Sequence, residues 1–104
     1  MSFVKVAALS ALPPESVMEV LVGDYPYAIC HSKGEIRAIS GVCIHRGGPL
    51  GQGTLHDGWV VCPYHMWEFD CRTGEFAGDP SKRVATFEVR VENDEIYLQL
   101  PDHA

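Results

Sequence analysis

Residues 86–100 read Thr86-Phe87-Glu88-Val89-Arg90-Val91-Glu92-Asn93-Asp94-Glu95-Ile96-Tyr97-Leu98-Gln99-Leu100. Phe87, Val89 and Val91 alternate with polar neighbours, and the apolar set resumes at Ile96, Leu98 and Leu100. Folded on a two-residue Asn93-Asp94 loop, Val91 faces Ile96, Val89 faces Leu98 and Phe87 faces Leu100. All three apolar pairs then share one face, as a half-buried antiparallel pair requires. A slip of one residue would set each apolar side chain against a polar one. The segment therefore predicts a β-hairpin, and with it an all-β framework.

Moving outward from this hairpin, the same texture covers the first 40 residues. Phe3–Ala8 predicts a first strand, interrupted at Ser10-Ala11-Leu12-Pro13-Pro14. Val17–Val22 predicts a second, ending at the Gly23-Asp24 turn. Tyr25–Cys30 and Glu35–Ser40 flank Ser32-Lys33-Gly34 and predict a second hairpin. No segment carries a helical period over three turns or more.

Between Gly41 and Pro80 the texture changes. Eight of the ten glycines, three of the four cysteines and three of the five histidines fall there. Only Trp59-Val60-Val61 and Trp67-Glu68-Phe69 read as strands. Glycine-rich loops let the backbone approach a bound group closely. The 104 residues thus predict one domain, 1–104, with a framework of 1–40 and 83–104 and a site-bearing insert of about 41–82.

Bulk composition narrows the function. A 46% hydrophobic and 21% charged chain is ordinary for a globular protein. No apolar run approaches the roughly 20 residues of a membrane span, and the N-terminal Met-Ser-Phe-Val-Lys has no secretory pattern, so a cytoplasmic location is expected. The net charge of −6 argues against nucleic acid or anionic membrane as partner and suits steering toward basic protein surfaces.

Two short motifs hold the metal-type residues, Cys43-Ile44-His45 and Cys62-Pro63-Tyr64-His65. Each supplies one thiolate and one imidazole. One zinc ion can use these four ligands; a two-iron cluster can also use them, with both thiolates on one iron and both imidazoles on the other. The flanks separate the cases. Cys43-Ile44-His45-Arg46-Gly47-Gly48-Pro49-Leu50, Cys62-Pro63-Tyr64-His65-Met66-Trp67-Glu68-Phe69-Asp70, the Thr73-Gly74 turn and Gly78-Asp79-Pro80 closely resemble the Rieske ferredoxin family, in family order along essentially the whole chain.

The resemblance implies an iron–sulfur-protein-like all-β fold: an antiparallel sandwich or barrel base with a small loop-rich cluster-binding subdomain. It implies one [2Fe–2S] cluster on Cys43, His45, Cys62 and His65, with the cysteines buried and the histidines at the protein tip. With neutral imidazoles the oxidised cluster carries no net charge, which favours its reduction over that of an all-cysteine cluster. It also implies pH-linked reduction, because an added electron raises the proton affinity of a ligand imidazole. No residue of the chain is then catalytic. The expected role is that of a monomeric electron carrier, taking electrons from a flavin-dependent ferredoxin reductase and delivering them to a terminal oxygenase. The other readings are the small subunit of a nitrite-reductase-like enzyme and a zinc-stabilised interaction module.

Departures from the family pattern refine the expectation. Respiratory members carry a disulfide between the ligand loops; the matching positions here are Gly48 and Tyr64. Those members also place serine and tyrosine hydroxyls near the cluster, where this chain has Trp67 and Phe69. Fewer hydrogen bonds to sulfur imply a potential near the bottom of the roughly −150 to +300 mV Rieske span. Met66 stands where the family has glycine and is expected to crowd the second loop. Pro49 and Pro80 are expected to stiffen loops over the cluster. Cys30 is expected in the core and Cys71 outside the ligand set, while His31, His56 and His103 read as surface or turn residues. Trp59 and Trp67 read as packing residues.

Overall fold

A computed structural model describes residues 2–100. Twelve strands alternate with tight turns: β1 (Ser2–Ala8), β2 (Ser16–Val22), β3 (Tyr25–Ser32), β4 (Glu35–Ser40), β5 (Thr54–His56), β6 (Trp59–Val61), β7 (Glu68–Asp70), β8 (Glu75–Phe76), β9 (Asp79–Arg83), β10 (Thr86–Phe87), β11 (Val89–Glu92) and β12 (Glu95–Leu100). Single 3-10 turns occupy Leu9–Ala11 and Leu50–Gln52, and the described residues contain no α-helix. The all-β expectation is borne out.

The strands form three antiparallel sheets, in the orders β1-β12-β11, β10-β4-β3-β2 and β5-β6-β7-β8-β9. The second sheet is the middle layer. On β3, Tyr27 and Ile29 point into one core with Leu12, Ala38, Ile96 and Leu98. Ala28 and Cys30 point the other way, into a second core with Ile39, Leu50, Val60 and Phe69. Because successive strand side chains take opposite faces, a continuous apolar run such as Tyr27-Ala28-Ile29-Cys30 suits a strand buried on both sides. Each of these four is 5% exposed or less.

Turn chemistry fixes the registers. Three two-residue loops have positive φ at both central residues: Lys33-Gly34, Asp57-Gly58 and Asn93-Asp94. Such loops twist in the sense that flanking strands require. The β3–β4 loop is thus one residue shorter than Ser32-Lys33-Gly34, since Ser32 pairs with Glu35.

The closing hairpin has the expected register at Val91 opposite Ile96 and Val89 opposite Leu98. Phe87 departs from it. It pairs with Ala38 of β4 in the middle sheet, while Leu100 pairs with Ser2 of β1. Residues 86–92 therefore switch sheets near Glu88, whose carbonyl still accepts from the Gln99 N–H at 2.9 Å. Val91, near the hairpin tip, is 41% exposed, so the apolar face is buried chiefly on its β12 side.

Three strands in the glycine-rich stretch were not expected: β5, β8 and β9. They are two to five residues long and carry little apolar alternation. Pro80 lies on β9, an edge strand of its sheet, where a missing N–H costs no ladder bond.

Ile29 is fully buried in the core between the first and middle sheets. Ile29→Ala should cost about 2–5 kcal/mol, read as a lower denaturant midpoint at unchanged slope.

Candidate metal centre

Cys43 and His45 lie on the loop that follows β4; Cys62 and His65 lie on the loop between β6 and β7. The first loop is closed at its base by a bridge between Val42 and Pro49. The Gly41 N–H, donating to the Pro26 carbonyl at 3.0 Å, ties it to the middle sheet.

The two loops have one backbone design. The Cys43 N–H donates to the Gly48 carbonyl at 2.9 Å, and the Cys62 N–H to the Trp67 carbonyl at 2.7 Å. In return the Gly47 N–H donates to the Cys43 carbonyl at 2.8 Å, and the Met66 N–H to the Cys62 carbonyl at 3.0 Å. Each cysteine thus opens a closed turn whose fifth residue takes positive φ, +67° at Gly47 and +60° at Met66. The two motifs place their histidines at different positions on this shared frame, third in one loop and fourth in the other.

These turns bring like side chains together. Cys43 and Cys62 belong to one buried cluster, and both residues are at most 2% exposed. Burial pushes the Cys43 thiol pKa up, while N–H groups of His45 and Arg46 facing its sulfur pull it down. The His45 N–H lies 3.4 Å from that sulfur. The two imidazoles meet edge to face, with centroids 4.8 Å apart and planes at 74°. His45 is half-buried and His65 exposed. Desolvation, then the charges of His65 and Arg46, holds the His45 pKa below the ordinary imidazole value. Among the described residues no three His, Cys, Asp or Glu side chains gather as a mononuclear site would need; the four residues gather as a thiol pair and an imidazole pair.

The second loop rests on aromatic rings. Trp67 stacks on His45 with centroids 4.1 Å apart and planes at 12°. Its other face stacks on Phe76 at 3.9 Å and 8°. Each such contact contributes about 0.5–1.5 kcal/mol beyond its buried area. Trp67 is thus a packing residue, as its sequence context suggests, but its packing partner is a residue of the site. Phe76 had no sequence signal of its own, because β8 is two residues long.

Gly48 and Tyr64, the positions matching the respiratory disulfide, do lie side by side. A Cβ on Gly48 would stand 3.2 Å from the Tyr64 ring and 2.7 Å from the Cys62 sulfur. The close approach of backbone to sulfur leaves no room for a side chain. Met66 corrects an expectation: it does not crowd the loop, being 68% exposed. Its departure from glycine is felt in the backbone, through the left-handed φ.

The remaining thiols and imidazoles stand apart. Cys30 and Cys71 are buried in the core on the β3–β7 side, unbridged. Hydrogen bonding to Cys71 and burial push the Cys30 thiol up, so it stays protonated. His31 is on β3, not in a turn, and its Nδ1 lies 2.9 Å from the Leu12 carbonyl oxygen. His56 is exposed on β5. His103 lies outside the described residues.

Two substitutions probe the loops. Met66→Gly should relieve the left-handed penalty of about 1–2 kcal/mol, partly offset by the freer unfolded chain. The expected net result is a melting temperature higher by a few degrees with an unchanged visible spectrum. Gly48→Ala should displace the Cys62 sulfur, read as loss of bound iron and sulfide per chain while the far-UV circular dichroism persists.

Known proteins resemble this chain in sequence and in fold. The Rieske [2Fe–2S] domain family matches residues 2–88. Ferredoxin CarAc of Metapseudomonas resinovorans is 32% identical over 98 residues, 92% of each chain. A solved complex of reduced oxygenase and oxidised ferredoxin in carbazole 1,9a-dioxygenase contains a chain 32% identical, with TM-score 0.83, covering 92% of this chain and all of that one. The ferredoxin of carbazole 1,9a-dioxygenase from Nocardioides aromaticivorans IC177 is 29% identical with TM-score 0.84, covering 94% and 97%. Other relatives are much longer; this chain spans 14% of human apoptosis-inducing factor 3. The chain belongs to the Rieske [2Fe–2S] domain family, with one Rieske-type cluster and the role of an electron carrier rather than an enzyme in its own right.

Proposed function

We propose that Cys43 and Cys62 hold one iron and His45 and His65 the other, and that the chain is the low-potential ferredoxin of a multi-component oxygenase. The observation that carries this assignment is the sorting of the four side chains into a buried thiol pair and an outward imidazole pair. That donor set fits a cluster whose two irons have different ligands. It fits a single zinc ion poorly, since one ion needs all four donors around one point. When bound, the cluster takes up and gives up one electron.

The protein's own residues do the rest. Cys43 and Cys62 are fixed at the start of closed turns and shielded from water. Few donors face the sulfurs: main-chain N–H groups of His45 and Arg46 reach Cys43, whereas Trp67 and Phe69 bring no hydroxyl. Weak hydrogen bonding to sulfur disfavours the more negative reduced state, which supports a low potential.

Exposed Ile44, Tyr64 and Met66 flank the ligands in sequence and give the tip an apolar rim. An exposed His65 among them lets a docked protein approach the centre without intervening chain. Likeness to the carbazole dioxygenase ferredoxins supports a terminal oxygenase as electron acceptor and a flavin-dependent ferredoxin reductase as donor. We further take residues 1–104 as one monomeric, cytoplasmic domain, with the insert at about 41–82 carrying the centre. No helix among the described residues is long and apolar enough to cross a membrane.

Anaerobic reconstitution tests the assignment. The expected product is red-brown, with iron and sulfide in about equal amounts and a reduced-state EPR signal whose average g lies below the free-electron value. A colourless protein holding stoichiometric zinc would contradict it. His65→Cys should abolish assembly or lower the reduction potential markedly; an unchanged potential and spectrum would remove His65 from the ligand set.

A further inference from the structure

We propose that Trp67 is the positioning residue for His45, and that Phe76 and Gly78 act through Trp67 to hold that imidazole in one orientation. This rests on the reading of His45 as an iron ligand.

The rings form a column. His45 lies nearly parallel to Trp67, and Trp67 nearly parallel to Phe76. Phe76 in turn packs against Phe69, with centroids 5.6 Å apart, and Phe69 is fully buried in the core shared with β3. The column therefore runs from the interior to the metal centre. Its middle member has its main chain pinned, because the Trp67 carbonyl accepts the Cys62 N–H. Its base is pinned by Gly78: a Cβ there would stand 2.7 Å from Phe76 Cζ and 2.9 Å from Cε2. Phe76 lies against Trp67 on one face, so a push on its ring is passed on.

His45 needs such support. Its neighbours Ile44, Arg46 and Gly47 are exposed, so its loop supplies little packing of its own. His65 is exposed, and among the described residues its one aromatic contact is the His45 ring, edge to face. The two imidazoles are thus unequal, one held flat against indole and one facing solvent. The plane of a ligand imidazole sets how its donor orbital and π-system meet the metal, and hence how much unpaired spin reaches its nitrogen. A flat indole also keeps water from one side of the centre, and exposure of an iron–sulfur centre shifts its potential.

Reduced holoprotein labelled with ¹⁵N-histidine tests this by pulsed EPR, alongside its reduction potential. Wild type should show two histidine nitrogens, one with a narrow coupling and the other with a broader one. Trp67→Ala should broaden or shift one of them and raise the potential, as water reaches the centre. Trp67→Phe, which restores a flat ring, should return both readouts toward wild type. Gly78→Ala should move the same coupling in the same sense, though the three atoms nearest its added Cβ all belong to Phe76. If Trp67→Ala does not retain a cluster, Trp67→Leu keeps apolar bulk without a flat face and is read in its place. Two unchanged couplings and an unchanged potential in the Trp67 variant would overturn the positioning role while leaving the ligands intact. Fewer than two histidine nitrogens in wild type would overturn the ligand reading itself, and this inference with it.

Discussion

The fold depends on one strand being buried on both faces. Through β3, Tyr27 and Ile29 support the β1-β12-β11 layer, while Ala28 and Cys30 support the layer that carries the candidate metal centre. The two core clusters lie on opposite faces of this middle sheet. Both buried cysteines of the thiol pair belong to the same core as Cys30, Ile39 and Phe69. The proposed metal centre is therefore an edge of a hydrophobic core, not a pocket cut into the surface. That arrangement places soft ligands in a dry, rigid setting and leaves the imidazoles at the boundary with water.

Given that platform, the site itself is built by repetition. Two loops of different sequence make the same pair of main-chain hydrogen bonds around a cysteine, and each needs one residue in the left-handed region. Glycine meets the requirement at 47 without strain. Methionine meets it at 66 at some cost, and its side chain is sent into solvent beside the ligands. Met66 shares that exposed surface with Ile44 and Tyr64.

Much of this was legible in the sequence for stated physical reasons. Period-two alternation and a two-residue loop specify the β11–β12 register locally, whereas the β3–β4 hairpin could be read from its turn residues but its loop was set one residue too long. The same alternation cannot say which sheet a strand joins once it leaves its hairpin. Phe87 shows this, being apolar and in phase yet paired with Ala38. Strands β5, β8 and β9 were illegible because main-chain pairing, not side-chain burial, defines them; Asp79-Pro80-Ser81-Lys82-Arg83 has no apolar face at all. At the site, the ligand-type residues announced themselves by chemistry and spacing. Their support did not. Stacking of Trp67 between His45 and Phe76 depends on contacts across loops that no local pattern encodes, and the room that Gly48 leaves for a sulfur is visible only in three dimensions.

The central claim is that two buried thiols and two outer imidazoles divide between two irons. Mössbauer spectroscopy of ⁵⁷Fe-reconstituted, dithionite-reduced protein addresses it directly, because it reports each iron's oxidation state and ligand set separately. The account predicts two iron sites in equal amount, a ferric one with sulfur ligands alone and a ferrous one whose isomer shift reflects nitrogen coordination. Two sites with all-sulfur parameters, or a single mononuclear iron, would contradict it.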